Sequence, residues 1–378
     1  MAARKIPGGA LAVVKNRRLI FARGYGWADR ERQVPARPDT LFRIASISKP
    51  ITAVAVLKLV EQRKLSLEAR AFESVNLKPL LAPERPSDAR LKQITLCHLL
   101  QHTAGWDREK SFDPMFRPRE IARAQGVCCP PGPRDIIRYM LGQPLDFDPG
   151  ARHAYSNFGY CVLGRVIEAV TGLTYERAVQ RLVLEPIGIR WMRLGASLSG
   201  GRTEGEAHYY MPDDEQTRSV FPGTPERVPT PYGGFCLEAM DAHGGWLASA
   251  VDLARFAAAL DDPDHSPLLK AQGFQTMYAP PPPPVARKED GSVADAYYGC
   301  GWSVRRVGKS GRANYWHTGS LPGTFTLLVH RWDGLSWVAL FNQRSSNKNL
   351  PDGAIDAALH RAADAVKEWP AGNLFSRW

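Results

Sequence analysis

The apolar residues of this chain change their period along its length, and that change constrains the fold more than any other feature. Near the amino end, Ala10-Leu11-Ala12-Val13-Val14, the basic turn Lys15-Asn16-Arg17-Arg18 and Leu19-Ile20-Phe21-Ala22 read as a β-hairpin over 10–25. Near the carboxyl end, 299–306, 324–331 and 335–342 are β-branched or aromatic runs parted by turns such as Trp332-Asp333-Gly334, the pattern of an antiparallel meander. Between them the spacing is helical, over 51–62, 95–102, 134–141, 158–170 with Gly172 as a stop, 175–184, and 249–260 with Ser249 and Asp252 at capping-box spacing. A last amphipathic helix over 352–367 turns Ile355, Ala358, Leu359, Ala362 and Val366 inward onto the sheet.

Strands at both ends with helices in the middle predict an α/β (α+β) fold. Its antiparallel sheet is flanked by helices and built from both termini, with an all-helical subdomain inserted. The expected division is 1–75 with 240–378 as the α/β part and 76–239 as the mostly helical insert, and their junction is where a cleft is expected. Five prolines, Pro280 to Pro284, mark an extended surface segment.

Chemistry is concentrated in three short stretches. Ser46-Ile47-Ser48-Lys49-Pro50 precedes the apolar helix. Pro50 is tolerated only in a first helical turn, so Ser46 is expected at the helix N-terminus with Lys49 on the same face. There it lies in the positive end of the helix dipole, where free N–H groups can hold an oxyanion. The plain alternative is a capping serine, which is how an isolated Ser-x-x-Lys is normally read.

Tyr155-Ser156-Asn157 follows the turn Asp148-Pro149-Gly150. A tyrosine facing a lysine is acidified by the cation, so Tyr155 is expected to act as a general base toward Ser46. Asn157 orients Lys49 or a substrate amide, and caps the helix over 158–170 as its structural duty. The third stretch is His317-Thr318-Gly319-Ser320. Gly319 is expected to let a substrate backbone approach a strand edge, the N–H groups of Ser46 and Ser320 to pair as oxyanion donors, and His317 to keep the local field positive or relay a proton near its reference pKa of about 6.5. Trp316, Tyr209 and Tyr232 are expected to join Thr318 and Gly319 around the substrate as an apolar acyl pocket.

In this order and spacing the three stretches resemble the serine β-lactamase and penicillin-recognising enzyme superfamily, which carries Ser-x-x-Lys, Tyr-x-Asn and Lys/His-Thr-Gly. Residues 6–10, 95–105 and 244–249 extend the resemblance to about 6–345. It implies an acyl-enzyme at Ser46, with Ser46, Lys49, Tyr155, Asn157 and His317 as the catalytic set and Tyr155 assisting both acylation and deacylation. His317 stands where class C lactamases have lysine, which disfavours a β-lactam and fits the peptidase and esterase branches better; a carboxylesterase is the first reading. A D-amino-acid or D-alanyl-D-alanine peptidase or weak β-lactamase comes second, acyl transfer third, and a non-catalytic acyl-binding protein last.

Other functions are weighed down. The net charge of +11 is spread along the chain, and its densest basic stretch, 117–123, has no interleaved aromatics, so no nucleic-acid partner is expected. The expected partner is a small ester, amide or β-lactam. No run approaches the roughly 18 apolar residues of a membrane span. His98 and His102 have a zinc-pair spacing without a third ligand, so no metal or cofactor is expected. Gly299-Cys300-Gly301 lacks a phosphate-binding pattern. The six cysteines read as mostly buried free thiols. No apolar leader follows Met1 to Ile6; the chain as it stands reads as cytoplasmic, or as periplasmic or secreted if a leader is removed.

Overall fold

The computed structural model of the protein describes residues 1–75, 87–308 and 311–378. Strands β1 (Gly8–Lys15) and β2 (Arg18–Asp29) form the hairpin, turning at Asn16 and Arg17 with φ of 49° and 64°, the left-handed pair that a two-residue turn between twisted strands requires. The short strands β3 (Val34–Pro35), β4 (Phe42–Arg43), β5 (Arg193–Leu194), β6 (Gln216–Arg218), β7 (Arg227–Pro229) and β8 (Trp246–Ala248) follow. The carboxyl end supplies β9 (Ala296–Tyr298), β10 (Ser303–Val307), β11 (Arg312–Leu321), β12 (Thr324–His330) and β13 (Leu335–Phe341).

Eight of these form one sheet in the order β3-β2-β1-β13-β12-β11-β10-β9. β1 lies antiparallel to β13 with Ala12 opposite Val338, so the two ends of the chain meet in the middle of the sheet. The strand expected over 299–306 is interrupted. Gly301, between β9 and β10, turns with φ +82°, and a Cβ there would stand 2.6 Å from the Ala53 Cβ, so this glycine lets the turn pack closely on the helix Ser48–Glu61.

Every residue of β12 and β13 is buried, because both faces of the sheet are covered. On one face Ala10, Ala12, Val14, Leu328, Val338 and Leu340 join the main core with the helices Ser48–Glu61 and Ala250–Ala259. On the other, Phe325, Leu327, Val329, Trp337 and Ala339 pack against Ile355 and Leu359 of the helix Ala354–Asp364. That helix is shorter than the expected 352–367: Ala363 packs inward, while Ala362 and Val366 are exposed. The helix Ser48–Glu61 is buried over most of its circumference, as a helix apolar all round must be.

The middle of the chain is helical in its first part, with Leu96–Leu100, Pro118–Gln125, Pro133–Met140, Asn157–Thr171 and Tyr175–Val179, the last running into a π turn at Gln180–Leu184. It is not the all-helical insert expected, because β5, β6 and β7 lie within it and 188–239 holds no α-helix. Ser249 and Asp252 form the expected reciprocal capping box. The cap of the helix Asn157–Thr171 is Ser156, whose Oγ accepts from the Gly159 N–H at 3.3 Å. Asn157 is therefore relieved of the capping duty expected of it. All six cysteines are free thiols, with Cys128 exposed and Cys129 half-buried. Among the described residues, no helix is long and apolar enough to cross a membrane.

Candidate active site

The segment before Ser46 is clamped on both sides. The Ile44 N–H donates to the Trp246 carbonyl at 3.0 Å, the Thr324 hydroxyl donates to the Arg43 carbonyl at 3.0 Å, and the Thr326 hydroxyl to the Ile44 carbonyl at 2.9 Å. Between these anchors and the helix, Ala45 takes φ +48°, a left-handed conformation that costs a residue with a Cβ about 1–2 kcal/mol. It turns the chain into the 3-10 turn Ala45–Ile47, which carries Ser46 into the cleft. Neither that turn nor the following helix has a side-chain cap, so Ser46 is not a capping serine.

Gly319 belongs to the same clamp. A Cβ there would fall 2.1 Å from the Ile44 carbonyl oxygen and 2.2 Å from the Thr326 hydroxyl. The protein's own chain fills the space that was assigned to a substrate backbone, so the glycine is explained by the approach of Ile44 and Ala45 to β11.

Lys49 is wholly buried and its amine is bracketed by three oxygens. Nζ donates to Asn157 Oδ1 at 2.8 Å and to the His243 carbonyl at 3.1 Å, and stands 3.1 Å from Ser46 Oγ. Asn157 Nδ2 in turn donates to Asp113 Oδ2 at 2.6 Å. Burial pushes the Lys49 pKa well below 10.5, opposed by the negative charge of Asp113 and reinforced by the Arg108 cation. An amine in such a place is available as a base.

Tyr155 lines the same cavity as Ser46, and its ring lies 4.8 Å from Lys49 Nζ and 5.0 Å from the Arg108 guanidinium carbon. The expectation of an acidified phenol fails. Burial raises the Tyr155 pKa above its ordinary value, outweighing the Ser46 hydroxyl and the Arg108 charge, both of which lower it. Tyr155 is a neutral phenol at rest. His317 departs from expectation in the same direction: burial first, then the nearby Lys49, lowers its pKa to about 3, against a backbone hydrogen bond that raises it. Its Nδ1 lies 2.7 Å from the Thr318 carbonyl and its Nε2 lies 2.9 Å from the Tyr298 hydroxyl. The carbonyl can only accept, so Nδ1 carries a proton, and with the pKa lowered to about 3 the ring is neutral near pH 7. It supplies no positive field.

Ser46, Tyr155, Trp316, His317, Thr318 and Ser320 open together onto a cavity of about 630 Å³. Its walls also include Pro281, Val285, Ala286, Ala296, Tyr297 and Tyr298, with Arg108 and His153 opposite. The proline run thus contributes to the cleft rather than only to the surface. Tyr209 and Tyr232 do not line it. They enclose Arg43, whose guanidinium carbon lies 4.4 Å from one ring and 5.3 Å from the other, because a buried cation needs aromatic faces and acceptors. Arg43 donates to the carbonyls of Pro231 and Ala196 at 2.6 and 2.8 Å, and Glu206 lies 3.7 Å from it. This cage supports β4, which leads into the turn that carries Ser46.

His98 and His102 have separate partners: His98 Nδ1 accepts from the Thr95 N–H at 3.3 Å and His102 Nδ1 from the Ser156 N–H at 3.2 Å. Sequence reasoning missed Asp113, Arg108, His153 and Tyr298. Tyr298 adjoins a recognised strand, but no spacing signal joins Asp113 to Asn157.

The sequence matches the family described as Beta-lactamase over residues 1–362. The chain belongs to that family. It is 35% identical over 195 residues to esterase EstB of Burkholderia gladioli, covering 50% of this chain and 47% of EstB. It is 25% identical over 385 residues to penicillin-binding protein 4* of Bacillus subtilis (strain 168), covering 98% of this chain and 78% of that one. The chain spans about half the length of EstB and of another curated relative, 47% and 54% respectively. Among solved structures it resembles the octameric penicillin-binding protein homologue from Pyrococcus abyssi, with a TM-score of 0.72, 25% identity, and coverage of 98% of this chain and 77% of that one.

Proposed function

We propose that the protein is a serine hydrolase that forms an acyl-enzyme at Ser46, and that carboxylic esters are its preferred substrates. The observation that carries this is the bracketing of Lys49 Nζ. A neutral amine has two N–H groups and one lone pair. Asn157 Oδ1 and the His243 carbonyl can only accept at these distances, so they take the two N–H groups and leave the lone pair toward Ser46 Oγ.

Lys49 then takes the Ser46 proton as Oγ attacks the substrate carbonyl, whose oxygen is held by the N–H groups of Ser46 and Ser320. Tyr155, a neutral phenol, gives its proton to the departing alkoxide. The tyrosinate so formed takes a proton from water, the hydroxide attacks the acyl carbonyl, and Ser46 recovers its proton from the Lys49 ammonium. All groups return to their starting charge.

The neutral ring of His317 supports esters over β-lactams, since it offers no cation for a β-lactam carboxylate. The similarity to EstB points the same way. The similarity to penicillin-binding protein 4* over nearly the whole chain supports D-alanyl peptides as the second reading. A division into a 1–75 with 240–378 part and a 76–239 insert is supported by the cleft lining, which takes Ser46 and His317 from the first and Arg108, His153 and Tyr155 from the second.

A fluorophosphonate should label the wild-type protein at Ser46 and leave Ser46→Ala unlabelled. Undiminished labelling of that variant at another serine would sink the assignment. Comparing kcat/KM for 4-nitrophenyl esters, nitrocefin and a D-alanyl-D-alanine peptide then decides the substrate, and faster turnover of nitrocefin would overturn the ester preference.

A further inference from the structure

We propose that Asp113 is a positioning residue: by holding the amide of Asn157 in one orientation it aims Lys49 at Ser46. The inference rests on the reading of Lys49 as the base for Ser46.

The argument begins with what each group can donate. Asp113 stands before the turn Pro114–Phe116, and its Oδ1 accepts from the Met115 N–H at 3.1 Å, which fixes the plane of the carboxylate. Its other oxygen accepts from Asn157 Nδ2 at 2.6 Å, the length of a strong charge-assisted bond. Burial raises the Asp113 pKa above its ordinary value, opposed by the hydrogen bonds from Asn157 and Met115 and by the Lys49 and Arg108 charges. Ionised, the carboxylate accepts only, so the amide nitrogen faces Asp113 and the amide oxygen faces Lys49. The flipped amide would set oxygen against carboxylate, losing that buried hydrogen bond, and would turn an N–H toward the Lys49 amine.

The orientation passes directly to the amine. With Asn157 Oδ1 and the His243 carbonyl as the two acceptors, the remaining tetrahedral direction of Nζ is toward Ser46 Oγ. Were the amide reversed, its N–H would compete for the lone pair that Ser46 needs. Asp113 itself is absent from the cavity wall and touches no reacting atom, so its effect travels through Asn157.

The carboxylate also sets when Lys49 loses its proton. Around Lys49 stand Tyr155 and Tyr160, whose rings lie 4.8 and 5.7 Å from Nζ, with His102, His243, His317 and Arg108 also electrostatically coupled to it. Burial keeps the three histidines neutral and Tyr155 and Tyr160 protonated. Arg108 favours the neutral amine, and Asp113 favours the ammonium.

The test measures kcat, KM and their pH dependence on a 4-nitrophenyl ester for Asp113→Ala and Asp113→Asn, with active sites counted by phosphonate titration and folding followed by thermal unfolding. Asp113→Ala should lower kcat per active site by about 10- to 100-fold, the scale of a misaligned base, with KM changed by less than about threefold. Asp113→Asn offers one acceptor oxygen to two donors and should lose less. Both variants should move the acid limb of kcat/KM to lower pH by about one unit, because the charge favouring the ammonium is gone. A purely structural role would lower stability and the count of active sites without moving that limb. If Asp113→Ala does not fold, the limb of Asp113→Asn decides. A wild-type kcat and an unmoved limb in a folded variant overturn the proposal while the Ser46 reading stands. Failure of the wild-type protein to be acylated at Ser46 overturns both.

Discussion

Gly319→Ala distinguishes two accounts of the Thr-Gly stretch. The added Cβ would sit 2.1 Å from the Ile44 carbonyl oxygen, 2.2 Å from the Thr326 hydroxyl and 3.1 Å from the Ala45 Cβ. Ordinary contact needs roughly 3.4 Å or more, so β11 and the Ile44–Ala45 segment must part by about 1 Å. Neither neighbour yields freely. The Ile44 carbonyl is held by Thr326, and the Ile44 N–H is held by Trp246. Overpacking of this kind costs about 1–3 kcal/mol of stability. Because Ser46 follows Ala45 directly, a shift of about 1 Å at the nucleophile should lower kcat by about 100-fold. The assay is steady-state hydrolysis of a 4-nitrophenyl ester with phosphonate labelling rate and thermal unfolding measured on the same preparation. If the glycine instead serves a substrate backbone, the variant should show raised KM with kcat, labelling rate and stability unchanged, and that result would refute the clamp.

Tyr155→Phe should lower kcat by about 100-fold or more, and the loss should be larger for alkyl esters than for 4-nitrophenyl esters, whose leaving group needs no proton; an equal loss on both would refute the proton-donor role. The buried histidines predict acid lability. His317, with a folded pKa of about 3 against 6.5, binds fewer protons folded than unfolded, and burial lowers the pKa values of His102 and His243 in the same direction. Their contribution is therefore fully present above about pH 6.5 and is lost as pH falls toward about 3, at up to about 1.4 kcal/mol per pH unit for each histidine titrating. Denaturant midpoints measured down that range should fall and His317→Gln should flatten the fall; a variant as steep as the wild type would count against it.

What the sequence made legible were the parts of the site held together by local geometry. Ser46 and Lys49 share one turn of backbone, and the apolar run after Pro50 declared the helix that carries them. Tyr155 and Asn157 were legible as a motif, as was the strand bearing His317. Contacts such as Asn157 with Asp113, 44 residues away, or Tyr298 with His317, 19 away, depend on how a loop and a strand are laid beside the cleft, for which no sequence period exists. The aromatic loop of Tyr209 and Tyr232 was misplaced because nothing in its spacing revealed that Arg43 would be buried between the rings. Proton positions were misjudged for a related reason. A lysine beside a tyrosine suggests mutual ionisation when only the pair is considered. Here the pair lies between a helix buried over most of its circumference and a sheet covered on both faces. In that setting the loss of hydration outweighs the Arg108 charge at Tyr155 and the Asp113 charge at Lys49, and at His317 it is reinforced by the Lys49 charge. The same enclosure that forbids a resting tyrosinate leaves a neutral lysine as the group able to accept the serine proton.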